Sequence, residues 1–231
     1  MSADNEAEAV TQRYARRATI DPRYSLLRPD VWQTVQERQR AMLGMFVRAG
    51  IADPAAVRLI EVGCGSGGNL LELLRLGFAP DNLTGVELLP QRADAARRVL
   101  PAATLVHTGD ALALTLPPAS LDVAYVSTVF SSLLDDGFQQ QLAARMWEWL
   151  RPGGAVLWYD FTYNNPHNPD VRGVPLARIR SLFPASRIYA RRVTLAPPIA
   201  RRVVRLHPSL YTVFNLLPML RTHLLCWIGK P

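Results

Sequence analysis

The chain has 231 residues, 49% of them hydrophobic and 19% charged, which suffices for the core of one domain and excludes a generally disordered polypeptide. Two cysteines, Cys64 and Cys226, cannot build a disulfide framework or a four-ligand metal site, and the four histidines lack paired metal-ligand spacing, so a reducing compartment and no metal are expected. The formal charge of +7 is uneven: residues 1–160 carry 15 arginines against 18 acids, residues 161–231 ten arginines and Lys230 against Asp170 alone.

The first ten residues read as a frayed tail, and the first thirty contain no apolar signal core, so export is not expected. Asp30 can cap a helix over 31–48, with Val31, Val35, Met42, Met45 and Phe46 as its buried stripe and Gly50 as its stop. Residues 57–62 (VRLIEV) are a short apolar run before a glycine cluster, the pattern of a buried parallel strand. A helix over 69–76, a strand over 83–88 and a helix over 90–100 follow, the last with Pro90 in its first turn. Strands are predicted over 103–107 and 121–127, and a helix over 138–150. The turn Arg151-Pro152-Gly153-Gly154 then leads to a strand over 155–161. This alternation predicts an α/β fold, a parallel sheet with helices on both faces.

The C-terminal part differs. A helix over 176–183 precedes two strands, 187–195 and 222–228, joined by two short helices split near Pro208, which suggests an antiparallel pair at one sheet edge. The uncharged stretch 206–220 is broken by Pro208 and Pro218 and is shorter than the roughly 20 apolar residues of a bilayer span. The surplus of arginine in residues 161–231 suits an anionic substrate or a membrane surface, and equally a plain basic exterior in an arginine-rich composition.

The segment 61–68 (EVGCGSGG) closes the first strand and opens a helix, where glycines let the backbone turn sharply and approach a ligand. Gly63, Gly65 and Gly68 fit the G-x-G-x-x-G of dinucleotide enzymes, while Glu61, Gly63, Gly65 and Gly67 fit the E-x-G-x-G-x-G of methyltransferases. Glu61 separates the two physically. A carboxylate there repels the pyrophosphate of NAD but favours the ammonium and sulfonium of S-adenosylmethionine. Glu87, 24 residues after Gly63, can accept both ribose hydroxyls, Leu88 and Leu89 can cover one adenine face, and Asp110 can bond the adenine amino group.

Residues 59–70, 84–92, 107–111, 121–132 and 150–158 resemble the successive motifs of class I S-adenosylmethionine-dependent methyltransferases, covering roughly 55–230. The resemblance implies a Rossmann-like three-layer sandwich with a mostly parallel seven-stranded sheet and an antiparallel last strand. It implies S-adenosylmethionine as cofactor, held by Glu61, Gly63, Gly65, Gly67, Glu87, Leu88, Asp110, Ala111 and Ser127. Residues 14–17 (YARR), 21–27 (DPRYSLL) and 158–166 (WYDFTYNNP) further resemble a bacterial subgroup found beside glycan or natural-product genes.

Where methyltransferases acting on the amino groups of bases or on glutamine carry an acid or Asn before Pro-Pro, this chain has Ser127-Thr-Val-Phe130, which disfavours that class. Two distant cysteines do not serve a thiol relay either. What remains is an O-, N- or C-methyltransferase of a small molecule, a glycan or a lipid carrier, and the leading expectation is O-methylation of a small hydroxylated acceptor such as a sugar, a lipid-linked glycan or a natural product. Ligands of open α/β sheets bind beyond the carboxyl ends of the parallel strands. That edge nominates His167 as general base, with Asp160 as a further catalytic candidate and His223 as another runner-up. Tyr24, Asn164, Asn165, Arg172 and His223 are candidates for acceptor binding. Residues 1–50 are expected to form a helical cap and 51–231 the methyltransferase domain, with a lid near 196–220 over the site. Competing readings are a non-catalytic cofactor-binding partner subunit, an NAD-dependent oxidoreductase, against which Glu61 argues, and an RNA methyltransferase. No RNA-binding module is visible, so nucleic acid is not the expected partner. A cytoplasmic protein, at most peripheral to the inner membrane face, is anticipated.

Overall fold

In β1 (Leu59–Val62) successive side chains go to opposite faces of the sheet, as the period of a strand dictates. Leu59 packs with Met42, Leu70 and Leu73 on one side, while Ile60 and Val62 pack with Phe138, Leu142 and Trp149 on the other. Both faces are covered, so β1 is apolar almost throughout, and its one charged residue, Glu61, is fully buried. The computed structural model that shows this describes residues 3–16, 25–166 and 168–231.

The sheet has seven strands in the order β3-β2-β1-β4-β5-β7-β6. They are β1, β2 (Leu83–Glu87), β3 (Leu105–Thr108), β4 (Leu121–Ser127), β5 (Leu150–Phe161), β6 (Arg187–Leu195) and β7 (Arg221–Gly229). Strands β1 to β5 pair in parallel, and β7 runs antiparallel to both β5 and β6. This is the Rossmann-like arrangement the motifs implied. Helices α1 (Ala3–Ala15), α5 (Asp136–Trp149) and α6 (Leu176–Leu182) cover one face; α2 (Pro29–Arg48), α3 (Gly68–Arg75) and α4 (Pro90–Val99) cover the other. Helices α7 (Pro197–Leu206) and α8 (Leu210–Asn215) fill the excursion between β6 and β7, and pack Ala200, Val203, Val204 and Tyr211 into a small core of their own with Leu195.

Three local expectations are corrected. The first residues are no frayed tail: α1 is docked, with Glu6, Val10 and Arg13 buried. Its polar composition hid this because its two buried charges satisfy each other, Arg13 Nη2 donating to Glu6 Oε1 at 2.6 Å. Asp30 does not cap α2. The extended Arg28 precedes Pro29, whose fixed φ suits the first helical position, and Asp30 falls inside the first turn as an ion-pair partner of Arg28 at 3.2 Å. The buried side of α2 includes Glu37, while Val31 and Val35 are only partly covered. The Glu37 carboxylate accepts Thr194 N and Tyr211 Oη at 2.9 and 2.8 Å, which offsets the cost of burying it. The strand expected from 155 starts at Leu150, which already pairs with Leu121 before a bulge.

Candidate functional site

A cavity of about 370 Å³ opens at the carboxyl ends of β1, β2 and β4, within the range of small-molecule sites. Its floor is the loop after β1. Gly63 takes φ +69°, and a Cβ there would stand 2.6 Å from Val129 Cγ2, so no other residue fits. Gly65 takes φ +57° with open space where a side chain would be, a bare-backbone cradle facing the cavity. The loop is tied down from β2: Gly63 N and Cys64 N both donate to Val86 O, at 2.8 and 3.1 Å.

Glu87, at the end of β2, accepts Gly65 N at 2.8 Å on one carboxylate oxygen and Leu89 N at 2.9 Å on the other. Each oxygen retains a lone pair toward the cavity that Glu87 lines, so the residue both shapes the loop and can take two hydroxyls. Asp110 follows β3 in a turn in which its Oδ1 accepts Leu112 N at 2.9 Å. Leu88, Asp110, Ala111 and Ser127 all line the cavity, as do Gly63 and Gly65.

Glu61 lies behind this wall and does not line it. Its Oε1 accepts Asn69 Nδ2 at 2.6 Å, whereas its Oε2 is buried with no hydrogen-bond partner. Arg38, from α2, donates to Asn69 Oδ1 at 2.9 Å and to both oxygens of Glu72. Burial pushes the Glu61 carboxyl up to about 8, against the pull of the Asn69 hydrogen bond and Arg38. A buried acid with one orphaned oxygen beside a bare-backbone cradle fits a ligand that brings a cation, as S-adenosylmethionine does. Gly67 departs from its expected role. It caps α3 in the left-handed region, outside the cavity wall, and a Cβ there would press on Leu100 at 3.1 Å, so it serves helix packing.

Sequence reasoning missed the roof. Ala7, Val10 and Tyr14 of α1 line the cavity, at spacings of three and four that place them on one helical face. Tyr14 lies under the Arg92 guanidinium, 4.5 Å from ring centroid to Cζ, and its hydroxyl is 3.3 Å from Ser132 Oγ. The signal was present as that stripe, but the surrounding acids masked it. Arg38 and Asn69 were missed as well. None of residues 196–220, anticipated as the lid, is among the lining residues.

The acceptor-side candidates are dispersed. Tyr24 and His167 lie outside the described residues. Asp160 is buried in β5, its two oxygens accepting Ser131 N and Phe161 N, each at 2.9 Å, and burial pushes it up to about 7. Asn164 Oδ1 accepts Gly173 N at 2.9 Å, closing the loop in which the exposed Asn165 also sits. Arg172 is paired with Asp136. His223, at the start of β7, stacks on Tyr159 with ring centroids 4.9 Å apart, its Nδ1 3.0 Å from Thr222 Oγ1. Burial, with Arg38 nearby, pushes His223 down to about 4, so its imidazole is neutral.

Residues 59–154 match the family model described as "Methyltransferase domain". No curated protein matches the chain. Among solved structures, a SAM-dependent methyltransferase from Archaeoglobus fulgidus is similar at 13% identity and TM-score 0.60, over 84% of this chain and 96% of that one. Geranyl diphosphate C-methyltransferase from Streptomyces coelicolor is similar at 12% identity and TM-score 0.65, over 97% and 96%. Phosphoethanolamine N-methyltransferase 1 from Haemonchus contortus, at 12% identity and TM-score 0.67, aligns with the whole of this chain across 50% of its own. Likeness at such low identity shows the fold alone, which is that of S-adenosylmethionine-dependent methyltransferases, and residues 59–154 of that fold match the methyltransferase domain model.

Proposed function

We propose that the protein is an O-methyltransferase of a small hydroxylated acceptor, such as a sugar, a lipid-linked glycan or a natural product, of the kind found in bacterial glycan and natural-product chemistry. The observation that carries this reading is the polar side of the cavity at the end of β4, where Ser127, Thr128 and Ser132 line it together with Arg38 and Asn69. Thr128 N, at the end of that strand, donates to Tyr159 O at 2.8 Å. Arg38 both lines the cavity and sits 5.4 Å from the centre of the Tyr159 ring, which in turn stacks on His223. Hydroxyl, amide and guanidinium groups together on one side of a cavity suit a hydroxylated acceptor. Thr128 holds φ +56°, a strained conformation for a β-branched residue, on the cavity wall.

The cofactor, when bound, supplies a methyl group on a cationic sulfur. The chain's part is alignment and proton removal. The Gly63 and Gly65 backbone, Glu87 and Asp110 fix the nucleoside, and Asn69 lines the cavity with Glu61 behind it, so that the acid acts on the positive end from behind the wall. The acceptor oxygen must come within about 3 Å of the methyl carbon in line with the departing sulfur. His167 is the first choice of base from its place in the loop after β5. Asp160 is the second, because a carboxyl near 7 matches the working pH of a general base. Neutral His223, Tyr24, Asn164, Asn165 and Arg172 are assigned to acceptor binding. The protein then works in the cytoplasm, at the inner membrane face when its acceptor is lipid-linked.

The test is transfer of label from methyl-tritiated S-adenosylmethionine to a panel of sugars, lipid-linked glycans and phenols. Label recovered as a methyl ether supports the reading. Label recovered only on nitrogen or carbon overturns O-methylation, and a folded protein that binds no cofactor overturns the enzyme altogether.

A further inference from the structure

Helices α7 and α8 turn only half of their apolar residues inward. Ala200, Val203, Val204 and Tyr211 are buried. On the outside, Leu206 is 81% exposed, Leu216 69% and Met219 78%, with Val213, Phe214 and Leu217 also open. The extended turn before α2 brings two more, Leu26 and the 95% exposed Leu27, with Trp32 in the first turns of that helix. They adjoin the excursion, since α2 packs on α7 and Thr34 Oγ1 lies 3.3 Å from Tyr211 Oη. A folded chain rarely leaves so many large apolar side chains together in water without a partner for them.

The charge on α7 is of one sign. Arg201, Arg202 and Arg205 lie on α7 and form no ion pair among the described residues. No Asp or Glu follows Asp170 anywhere in the sequence. An apolar ridge flanked by unpaired guanidinium groups is the surface that a bilayer with anionic headgroups accepts: the aliphatic side chains enter the acyl boundary and the arginines meet phosphate.

We infer that the outward face of α7, α8 and residues 216–219, together with Leu26, Leu27 and Trp32, docks this protein on an anionic lipid bilayer. The excursion is tied to the edge of the sheet at which the cavity opens. Arg221, the first residue of β7, donates to Asn215 O at 2.7 Å, and two residues on His223 pairs with Phe161 in the sheet. Docking there brings the carboxyl end of β5, and with it the edge on which the cavity opens, toward the lipid. The inference deepens the proposed function by making a lipid-linked acceptor the natural substrate class, and in that respect rests on it.

The test is co-sedimentation of the full chain with vesicles of phosphatidylcholine alone or mixed with phosphatidylglycerol, at low and raised salt. The protein should pellet with the mixed vesicles, less so at raised salt, and stay in solution with phosphatidylcholine alone. L216E/M219E, with both sites on the surface, should lower the bound fraction at least about tenfold and leave cofactor affinity unchanged. Wild-type protein that stays in the supernatant with anionic vesicles at low salt overturns the inference. So does a variant that pellets equally, or a self-associated wild type in gel filtration that the double substitution disperses, which assigns the ridge to a second copy. Cofactor binding measured on the same samples separates this outcome from failure of the methyltransferase reading, since loss of that binding leaves the vesicle result standing.

Discussion

Asn69 donates to one oxygen of Glu61 at 2.6 Å and leaves the other oxygen of the same carboxyl buried and unpartnered. An arrangement that satisfies half of a buried acid costs stability in the empty protein and is suited to a ligand that completes it. The two consequences can be measured separately.

The first concerns pH. With its carboxyl raised to about 8 in the folded chain, Glu61 keeps its proton where the unfolded chain has already lost it. Its contribution to stability is therefore full below the ordinary glutamate value and is lost as pH rises through about 8. Asp160, raised to about 7, acts in the same direction. The unfolding temperature of the cofactor-free protein should fall as pH rises from about 4 to about 8, and Glu61→Gln should flatten part of that slope. A cationic ligand reverses the preference and drives proton release, so affinity for S-adenosylmethionine should rise with pH toward about 8. Calorimetry in buffers of different ionisation enthalpy reads that proton directly; Glu61→Gln should abolish it. An affinity independent of pH would show that the cation sits elsewhere.

Glu87→Ala removes the acceptor of two backbone amides as well as the expected ribose contact. S-adenosylmethionine affinity should fall by at least about 1.5 kcal/mol, the usual scale for hydrogen bonds to a charged group. Titration calorimetry checks this, and unchanged affinity would remove Glu87 from the ribose site.

Gly63→Ala adds a Cβ at φ +69° and 2.6 Å from Val129 Cγ2, where neither the backbone nor the neighbour can yield freely. The expected cost is about 1–3 kcal/mol of stability together with loss of cofactor binding. Val129→Ala in the same chain should recover the steric share of the stability and none of the backbone strain. Denaturant unfolding of the single and double variants resolves the two parts.

Glu6 accepts Arg13 and the amide of Leu134, while Arg13 also donates to Ser132 O, so α1 is pinned to the loop beside the cavity by a buried ion pair. Glu6→Ala leaves Arg13 buried without its acid, a loss of about 3 kcal/mol that falls on α1 alone. Hydrogen exchange should rise in residues 3–16 with the sheet unchanged, and S-adenosylmethionine should dissociate faster. Equal dissociation rates would show that α1 does not hold the ligand in.

The floor of the site was legible because it is built from backbone demands. Gly63 and Gly65 need conformations that only glycine takes freely, while Glu87 ends β2 and Asp110 follows the end of β3 in the turn. Gly67 matched the same string and still serves α3 against Leu100, because a motif records which residue is small and not what it must avoid. The roof was illegible for the opposite reason. In α1, buried Glu6 and Arg13 look like solvent-exposed charges until the partner across the fold is seen.

What the sequence determined by itself was the order of elements, their periods and the strand edge where the site lies, since each follows from contacts between near neighbours in the chain. Only the tertiary structure decided that Glu61 stands behind the cavity wall, that α1 and not the 196–220 excursion supplies its described cover, and that the outward face of α7 and α8 is left without a partner. Those depend on which groups meet across more than a hundred residues, as Arg13 meets Ser132, and on the desolvation such meetings impose.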